Sequence, residues 1–298
     1  MKSIFITGGT GFFGKSMLDY RLRHPELMFQ KWTILSRYPE RFISQNQVLA
    51  CQPGVEFREG DVRSFDFGVE RFDAVIHAAT EAVTTLADDE MTSVIVEGTE
   101  RVVAFAKACG ARKIMLTSSG AVYGPQAAAV SEDSECHPVT AYGRGKLQAE
   151  RLCAESGIHA LIARCFAFTG PYLNRGIHFA IGNFIQDCLD GKPMVIKGDG
   201  RPFRSYLYAD DLVEWLLAIL ERGESGRPYN VGSAEAVSIR ELAERVKDAL
   251  GVKNKISVLG TPQPAPPSVY VPVVSRIERE LGVRQRVSLS EAIRRSAR

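Results

Sequence analysis

The chain has 298 residues, 45% of them hydrophobic and 24% charged, with a formal net charge of +2. That balance suits a globular protein of one large or two smaller domains, and it gives no electrostatic reason to expect nucleic acid or an anionic membrane as partner. No apolar run approaches the roughly 18 residues that a membrane span needs, and the opening "MKSIFITGG" is too short for a secretion signal, so a cytoplasmic location is expected.

Short apolar runs read as strands: "SIFITGG", "WTILSR", "VEFREGD", "FDAVIHAA", "KIMLTSS" and "ALIARC". Helical patterns between them begin near Gly11, Asp89 and Thr140. Strand and helix alternating at this rhythm predict βαβ units, hence an α/β fold with a Rossmann-type, doubly wound parallel sheet. The rhythm loosens after Gly170, where a loop feeds a helix. Later come a helix to about Glu221, a short strand "PYNVGS", a helix from Ser238 to Leu250, and a proline-rich "GTPQPAPPSVYVP" suited to an ordered extended loop or lid. The expected organisation is a dinucleotide-binding domain over 1–170 and a smaller α/β substrate region over 171–298, with about 205–232 returning to the sheet. The six cysteines lack Cys-x-x-Cys spacing and the five histidines form no His-Glu-x-x-His pattern. Reduced thiols and no metal site are therefore expected.

Within "ITGGTGFFG", Gly8, Gly11 and Gly14 stand between the first strand and its helix. Glycines there permit a tight turn and close approach of backbone to a pyrophosphate, which the helix N-terminus attracts. The second strand ends in Ser36 and Arg37 where an NAD site commonly places an acid. A guanidinium there can pair with a 2′-phosphate, so NADP(H) is favoured over NAD(H). Asp61, after the third strand, is placed to touch the adenine.

"LTSSGAVYG" ends the fifth strand, at the carboxyl edge where open α/β sheets bind ligands. In "AYGRGKLQAE", Tyr142 and Lys146 lie about one helical turn apart on one face. A phenol of pKa about 10 is a poor base at neutral pH, and a neighbouring ammonium favours its phenolate. Ser119, Tyr142 and Lys146 thus form a candidate catalytic set for proton exchange at a substrate alcohol or ketone.

With those motifs, "HAAT", "RCFAFTGP" and "GDGRPFRSYLYADDL" in hand, the chain resembles an extended short-chain dehydrogenase/reductase of the NAD(P)-dependent nucleotide-sugar epimerase/dehydratase branch over nearly its whole length. The resemblance implies a cofactor lining of Gly8, Gly11, Phe12, Phe13, Gly14, Ser36, Arg37, Asp61, Val62, Ala78, Ala79, Thr80, Thr117, Tyr142 and Lys146. It implies substrate contacts from Ser119, Tyr123, His178, Asn183 and Arg204. Arg204 matches an arginine that holds the nucleotide diphosphate, Tyr123 either meets the sugar or packs, and His178 is either a proton shuttle or an ordinary loop residue. The partner implied is a nucleotide-diphosphate sugar. A homodimer is expected, and the helices from Asp89 to Ala108 and from Thr140 to Glu155 either form the four-helix dimer contact of similar proteins or cover the sheet.

Departures from the family pattern narrow the chemistry. The acid–base pair of 4,6-dehydratases is replaced by Gly120 and Ala121, which move no proton. Reductases that also epimerise beside a ketone carry a cysteine at the place of Ala121. Two further family asparagines are Ile95 and Ala167 here. The remaining set suffices for oxidoreduction at C4 of the sugar, by a 4-epimerase or a 4-keto reductase. The alternatives are a non-catalytic dinucleotide sensor, and a reductase of small non-sugar ketones, against which Arg204 argues.

Overall fold

The computed structural model describes residues 3–27, 29–80, 86–176 and 179–298. The central sheet is built from β1 (Ser3–Thr7), β2 (Lys31–Ser36), β3 (Val55–Glu59), β4 (Ala74–His77), β5 (Lys113–Ser119), β6 (His159–Cys165) and a last strand at Pro228–Val231. Their spatial order is Pro228–Val231, β6, β5, β4, β1, β2, β3. Pairing is parallel between β1 and β2, β1 and β4, β2 and β3, and β4 and β5. This is a Rossmann-type arrangement: the chain reverses its winding between β1 and β4, and the crevice that opens there is where such sheets bind ligands.

Strands buried on both faces need near-continuous apolar runs, and β1 and β4 supply them: Ile4, Phe5 and Ile6 in one, Ala74, Val75 and Ile76 in the other are essentially inaccessible. α1 (Phe12–Arg23) follows β1, the short α2 (Pro39–Gln45) and α3 (Gln47–Ala50) follow β2, and α4 (Asp88–Ala108) and α5 (Ala141–Ala154) pack together beside the sheet. Phe5 anchors the core beneath them, its ring 4.4 Å from Phe105 and 5.3 Å from Phe72. Helix starts lie within a residue of those read from the sequence. α2 and α3 are additional to that reading, since seven and four residues carry too few turns for a periodic signal.

The chain divides into two compact units interleaved in sequence. One comprises the chain up to Gly124 with Cys136–Arg164 and Leu216–Tyr229, the other Pro125–Glu135, Cys165–Trp215 and Asn230–Arg298. The second unit has its own core, in which Ile181, Phe184 and Ile185 meet Leu242, Val246, Leu289 and Ile293. Its helix Ile239–Leu250 starts with a reciprocal cap between Ser238 and Glu241 and stops at left-handed Gly251. The proline-rich segment is extended: Val269–Tyr270 pairs in parallel with Phe203–Arg204, and Arg201 donates to the carbonyls of Gln263 and Ala265. Among the described residues no helix is long and apolar enough to cross a membrane.

Candidate active site

Gly8 has φ +74°, and a Cβ there would stand 2.4 Å from the Ala78 carbonyl oxygen. A side chain at Gly14 would reach the backbone of Gly9 at 2.1 Å. Only glycine lets the β1–α1 turn tuck against the end of β4 and the helix close on the turn. Gly11 N–H bonds Gly8 O at 3.1 Å, and α1 begins with no acidic residue in its first turn. This backbone cradle at a positive helix end fits a dinucleotide pyrophosphate. Phe12 and Phe13 are half-buried beside it, their rings 5.8 Å apart.

At the end of β2, Ser36 is buried and its Oγ accepts the Tyr38 N–H at 3.2 Å, while Arg37 is exposed. Asp61 is turned onto its own loop, Oδ1 accepting the Arg63 N–H at 2.9 Å. Val62 is buried against α4, where a Cβ at Gly98 would approach it to 3.1 Å.

α5 explains the pattern of glycines around Tyr142. Thr140 caps the helix by accepting the Gly143 N–H at 3.0 Å. A Cβ at Gly143 would sit 2.7 Å from the Ala121 carbonyl oxygen, and one at Gly145 3.3 Å from Ile95. Each glycine in a helix costs about 0.5–1 kcal/mol relative to alanine, and here both let α5 lie tightly against α4 and the turn after Ser119. Ile95, where the family pattern has an asparagine, serves as that packing surface. Lys146 is 3% exposed, donating to Thr80 Oγ1 at 2.6 Å and Thr117 O at 2.9 Å, with Nζ 5.8 Å from the centre of the half-buried Tyr142 ring. Ser119 Oγ accepts the Ala121 N–H at 3.1 Å and so starts the 3-10 turn Gly120–Tyr123.

Two buried polar chains hold this frame. In the first, Ser118 donates to Glu150 and Arg164 clamps the same carboxylate, Nη2 to Oε2 at 2.8 Å and Nε to Oε1 at 3.0 Å. Arg164 Nη1 continues to the Tyr123 hydroxyl at 3.0 Å. Burial disfavours the Arg164 charge, but the hydrogen bonds and charge of Glu150, with Tyr123 adding to them, raise its pKa overall. Tyr123 is 1% exposed and packs against this guanidinium.

The second chain fixes a histidine tautomer. Thr99 gives its proton to the Ile95 carbonyl at 2.6 Å, so it can only accept from His77 Nε2 at 3.1 Å. Nε2 therefore carries the hydrogen, and Nδ1 accepts the Thr7 hydroxyl at 2.8 Å. Thr7 Oγ1 in turn accepts the Ala79 N–H at 3.2 Å. Burial, with the Lys146 charge adding to it, lowers His77 to about 3. Cys153, on the same helix as Lys146, is pushed up to about 12 by burial and is an inert filler.

In the second unit, Arg204 is half-buried, donating to Phe203 O at 2.7 Å with its guanidinium 6.0 Å from the Tyr270 ring centre. Asn183 Oδ1 accepts the Gly176 N–H at 3.0 Å, and Ala167 packs on that unit's core. His178 lies outside the described residues. The structure thus gathers Ser119, Tyr142, Lys146, Thr117 and Thr80 within the first unit, and assigns Arg204 and Asn183 to the second.

The model of the NAD dependent epimerase/dehydratase family matches residues 4–232. The chain belongs to this family. Among curated relatives in or beside it, UDP-glucuronic acid decarboxylase 6 of Arabidopsis thaliana is 26% identical over 97% of this chain and 86% of the relative. UDP-glucuronic acid decarboxylase 1 of the same plant is 28% identical over 98% and 68% respectively. Of solved structures, a Bacillus cereus UDP-glucuronic acid 4-epimerase in complex with UDP-glucuronic acid and NAD superimposes with TM-score 0.85. It is 24% identical and the match covers 99% of this chain and 98% of that one. A Streptomyces venezuelae dTDP-glucose 4,6-dehydratase with NAD and TYD bound also gives TM-score 0.85 at 24% identity, over 99% and 95%. At that identity the superpositions speak for the fold.

Family membership makes the chain an enzyme of nicotinamide-dependent nucleotide-sugar chemistry. Sequence reasoning passed over His77, Glu150 and Arg164. A charged or titratable residue inside the apolar runs "FDAVIHAA" and "ALIARC" is a readable signal that a buried partner must exist. Glu150, one turn beyond Lys146, offered that partner to Arg164.

Proposed function

We propose that this enzyme oxidises or reduces C4 of a nucleotide-diphosphate sugar, as a 4-epimerase or a 4-keto reductase. The observation that carries the reading is the buried Lys146, fixed beside Tyr142 by Thr80 and by the carbonyl of Thr117, which stands two residues before Ser119 on β5. Tyr142 takes the proton of the C4 hydroxyl, or returns it to a C4 ketone, while Ser119 holds the same oxygen. The Lys146 charge favours the ionised phenol that this exchange requires. A nicotinamide dinucleotide held by Gly8, Gly11, Gly14 and the Ala78–Thr80 loop supplies the hydride acceptor or donor. Gly120 and Ala121 leave no acid–base pair for loss of water, which weighs against a 4,6-dehydratase.

The reading extends to three finer points. Ser36 and Arg37 favour a 2′-phosphate and hence NADP(H), although the solved neighbours named above hold NAD. Arg204 is the proposed diphosphate contact, and α4 with α5 the proposed dimer face. Purified protein that retains NAD(H) and interconverts two C4 epimers supports the epimerase. Consumption of NADPH with a 4-keto sugar supports the reductase, and cofactor binding without turnover of any nucleotide sugar overturns both.

A second reading is favoured by the decarboxylase relatives. Where the sugar carries a C6 carboxylate, oxidation at C4 leaves a β-keto acid. Such an acid releases CO2 without the pair that Gly120 and Ala121 lack, and the enol left behind takes up a proton. Release of CO2 from UDP-glucuronic acid separates this reading from epimerisation.

A further inference from the structure

Thr80 follows Ala79 beyond the end of β4 and is half-buried. It was expected only to line the cofactor, but its hydroxyl is engaged elsewhere. It donates to the Ala79 carbonyl at 2.7 Å, so toward Lys146 Nζ, 2.6 Å away, it can only accept. The carbonyl of Thr117, at 2.9 Å on β5, is the second acceptor. A lysine side chain is a flexible four-carbon stem with a compact charge, and two acceptors on different elements define where that charge rests.

The Thr80 acceptor is itself held by the fold. Ala79, whose carbonyl takes the Thr80 proton, donates its N–H to Thr7 Oγ1 on β1. Thr7 is tied to His77, and His77 to Thr99 on α4. The loop that presents Thr80 is therefore positioned by hydrogen bonds among two strands and a helix, all within the first unit.

We infer that Thr80 is a positioning residue for Lys146, an acceptor on the β4 loop that fixes the ammonium beside Tyr142 before any ligand arrives. The kinetic part of this inference rests on the proton-transfer role proposed above, while the anchoring part does not.

The test uses the full chain labelled with 15N-lysine, without cofactor or substrate, and follows the Nζ–H correlation that Lys146→Met removes. Thr80→Val keeps the shape and deletes the acceptor, and Thr80→Ser keeps the hydroxyl. In the valine variant the Lys146 ammonium protons should exchange with water about tenfold faster than in the parent, as loss of one hydrogen bond to a charged group implies, and serine should restore the parent rate. In turnover with the nucleotide sugar that the parent uses, valine should lower kcat about tenfold with KM unchanged, and serine should recover it. Parent-like exchange in Thr80→Val overturns the inference whatever the substrate, and so does an unchanged kcat. If exchange responds as expected and the parent turns over no nucleotide sugar, the anchoring stands and the functional reading falls.

Discussion

The His77 chain makes a prediction about stability that is independent of substrate. Burial lowers this imidazole from 6.5 to about 3. The unfolded chain takes up a proton below pH 6.5 and the folded protein does not. The contribution of His77 to stability is thus complete above pH 6.5 and is lost as the pH falls toward 3. Within that window each pH unit removes at most about 1.4 kcal/mol, and between pH 6.5 and 4.5 the loss is about 2 kcal/mol. Glutamine at position 77 cannot titrate. His77→Gln should be less stable than the parent at pH 6.5, because the imidazole's bonds to Thr7 and Thr99 are disrupted. The gap should shrink by about 2 kcal/mol at pH 4.5 as the parent alone loses the His77 contribution. Urea unfolding of both cofactor-free proteins at pH 6.5, 5.5 and 4.5, followed by circular dichroism, measures the gap. A gap that stays constant across this range would refute a neutral His77 wired as described.

Tyr142→Phe should lower kcat by about 10²–10⁴-fold, the usual worth of a positioned acid–base group, while calorimetry shows cofactor binding unchanged; activity within a few-fold of the parent would exclude the phenol from proton transfer. Arg164→Met strands the Glu150 carboxylate and should cost about 3–5 kcal/mol, whereas Glu150→Leu with Arg164→Met should recover most of the loss because no buried charge is left alone. Unfolding by denaturant reads both variants. Gly14→Ala sets a methyl 2.1 Å from the Gly9 backbone and should abolish dinucleotide binding by calorimetry; retained affinity would mean that the turn is not the cradle described. Light scattering should give twice the 32.8 kDa chain mass if the proposed dimer forms, and a monomer would remove that proposal.

The elements most legible in the sequence are those whose partners are set by local pattern. β1, β2 and β4 announce themselves because a strand buried on both faces must be apolar throughout. α1, α4 and α5 show as longer helical stretches between those strands, and of the three α5 alone opens on a side-chain cap, Thr140. The glycine turn and the spacing of Tyr142 and Lys146 were readable because their geometry is local. What was not legible depends on distant pairs. Thr7 and His77 are 70 residues apart, and Lys146 and Thr80 are 66. No spacing rule links them until the sheet order brings β1, β4 and β5 side by side. The strand at Pro228–Val231 was read from "PYNVGS" in a segment expected to return to the sheet, and only its place beside β6 had to come from the sheet order. Tyr123 illustrates a different limit, since a tyrosine next to a glycine at a strand end reads equally as a ligand contact or a packing residue. Arg164, 41 positions away, holds its hydroxyl.

The central claim is that the bond made or broken is the C–H bond at C4 of the sugar. Comparing turnover of UDP-glucose and UDP-glucuronic acid carrying hydrogen or deuterium at C4, and of a 4-keto nucleotide sugar with NADPH carrying hydrogen or deuterium at the transferred position, tests it most directly, with product stereochemistry and CO2 followed together. The account predicts a primary isotope effect on the hydrogen lost from or delivered to C4 in at least one of these reactions, with turnover itself lost in Tyr142→Phe. Turnover that shows no isotope effect from the transferred hydrogen in single-turnover measurements, or that persists in Tyr142→Phe, would contradict it.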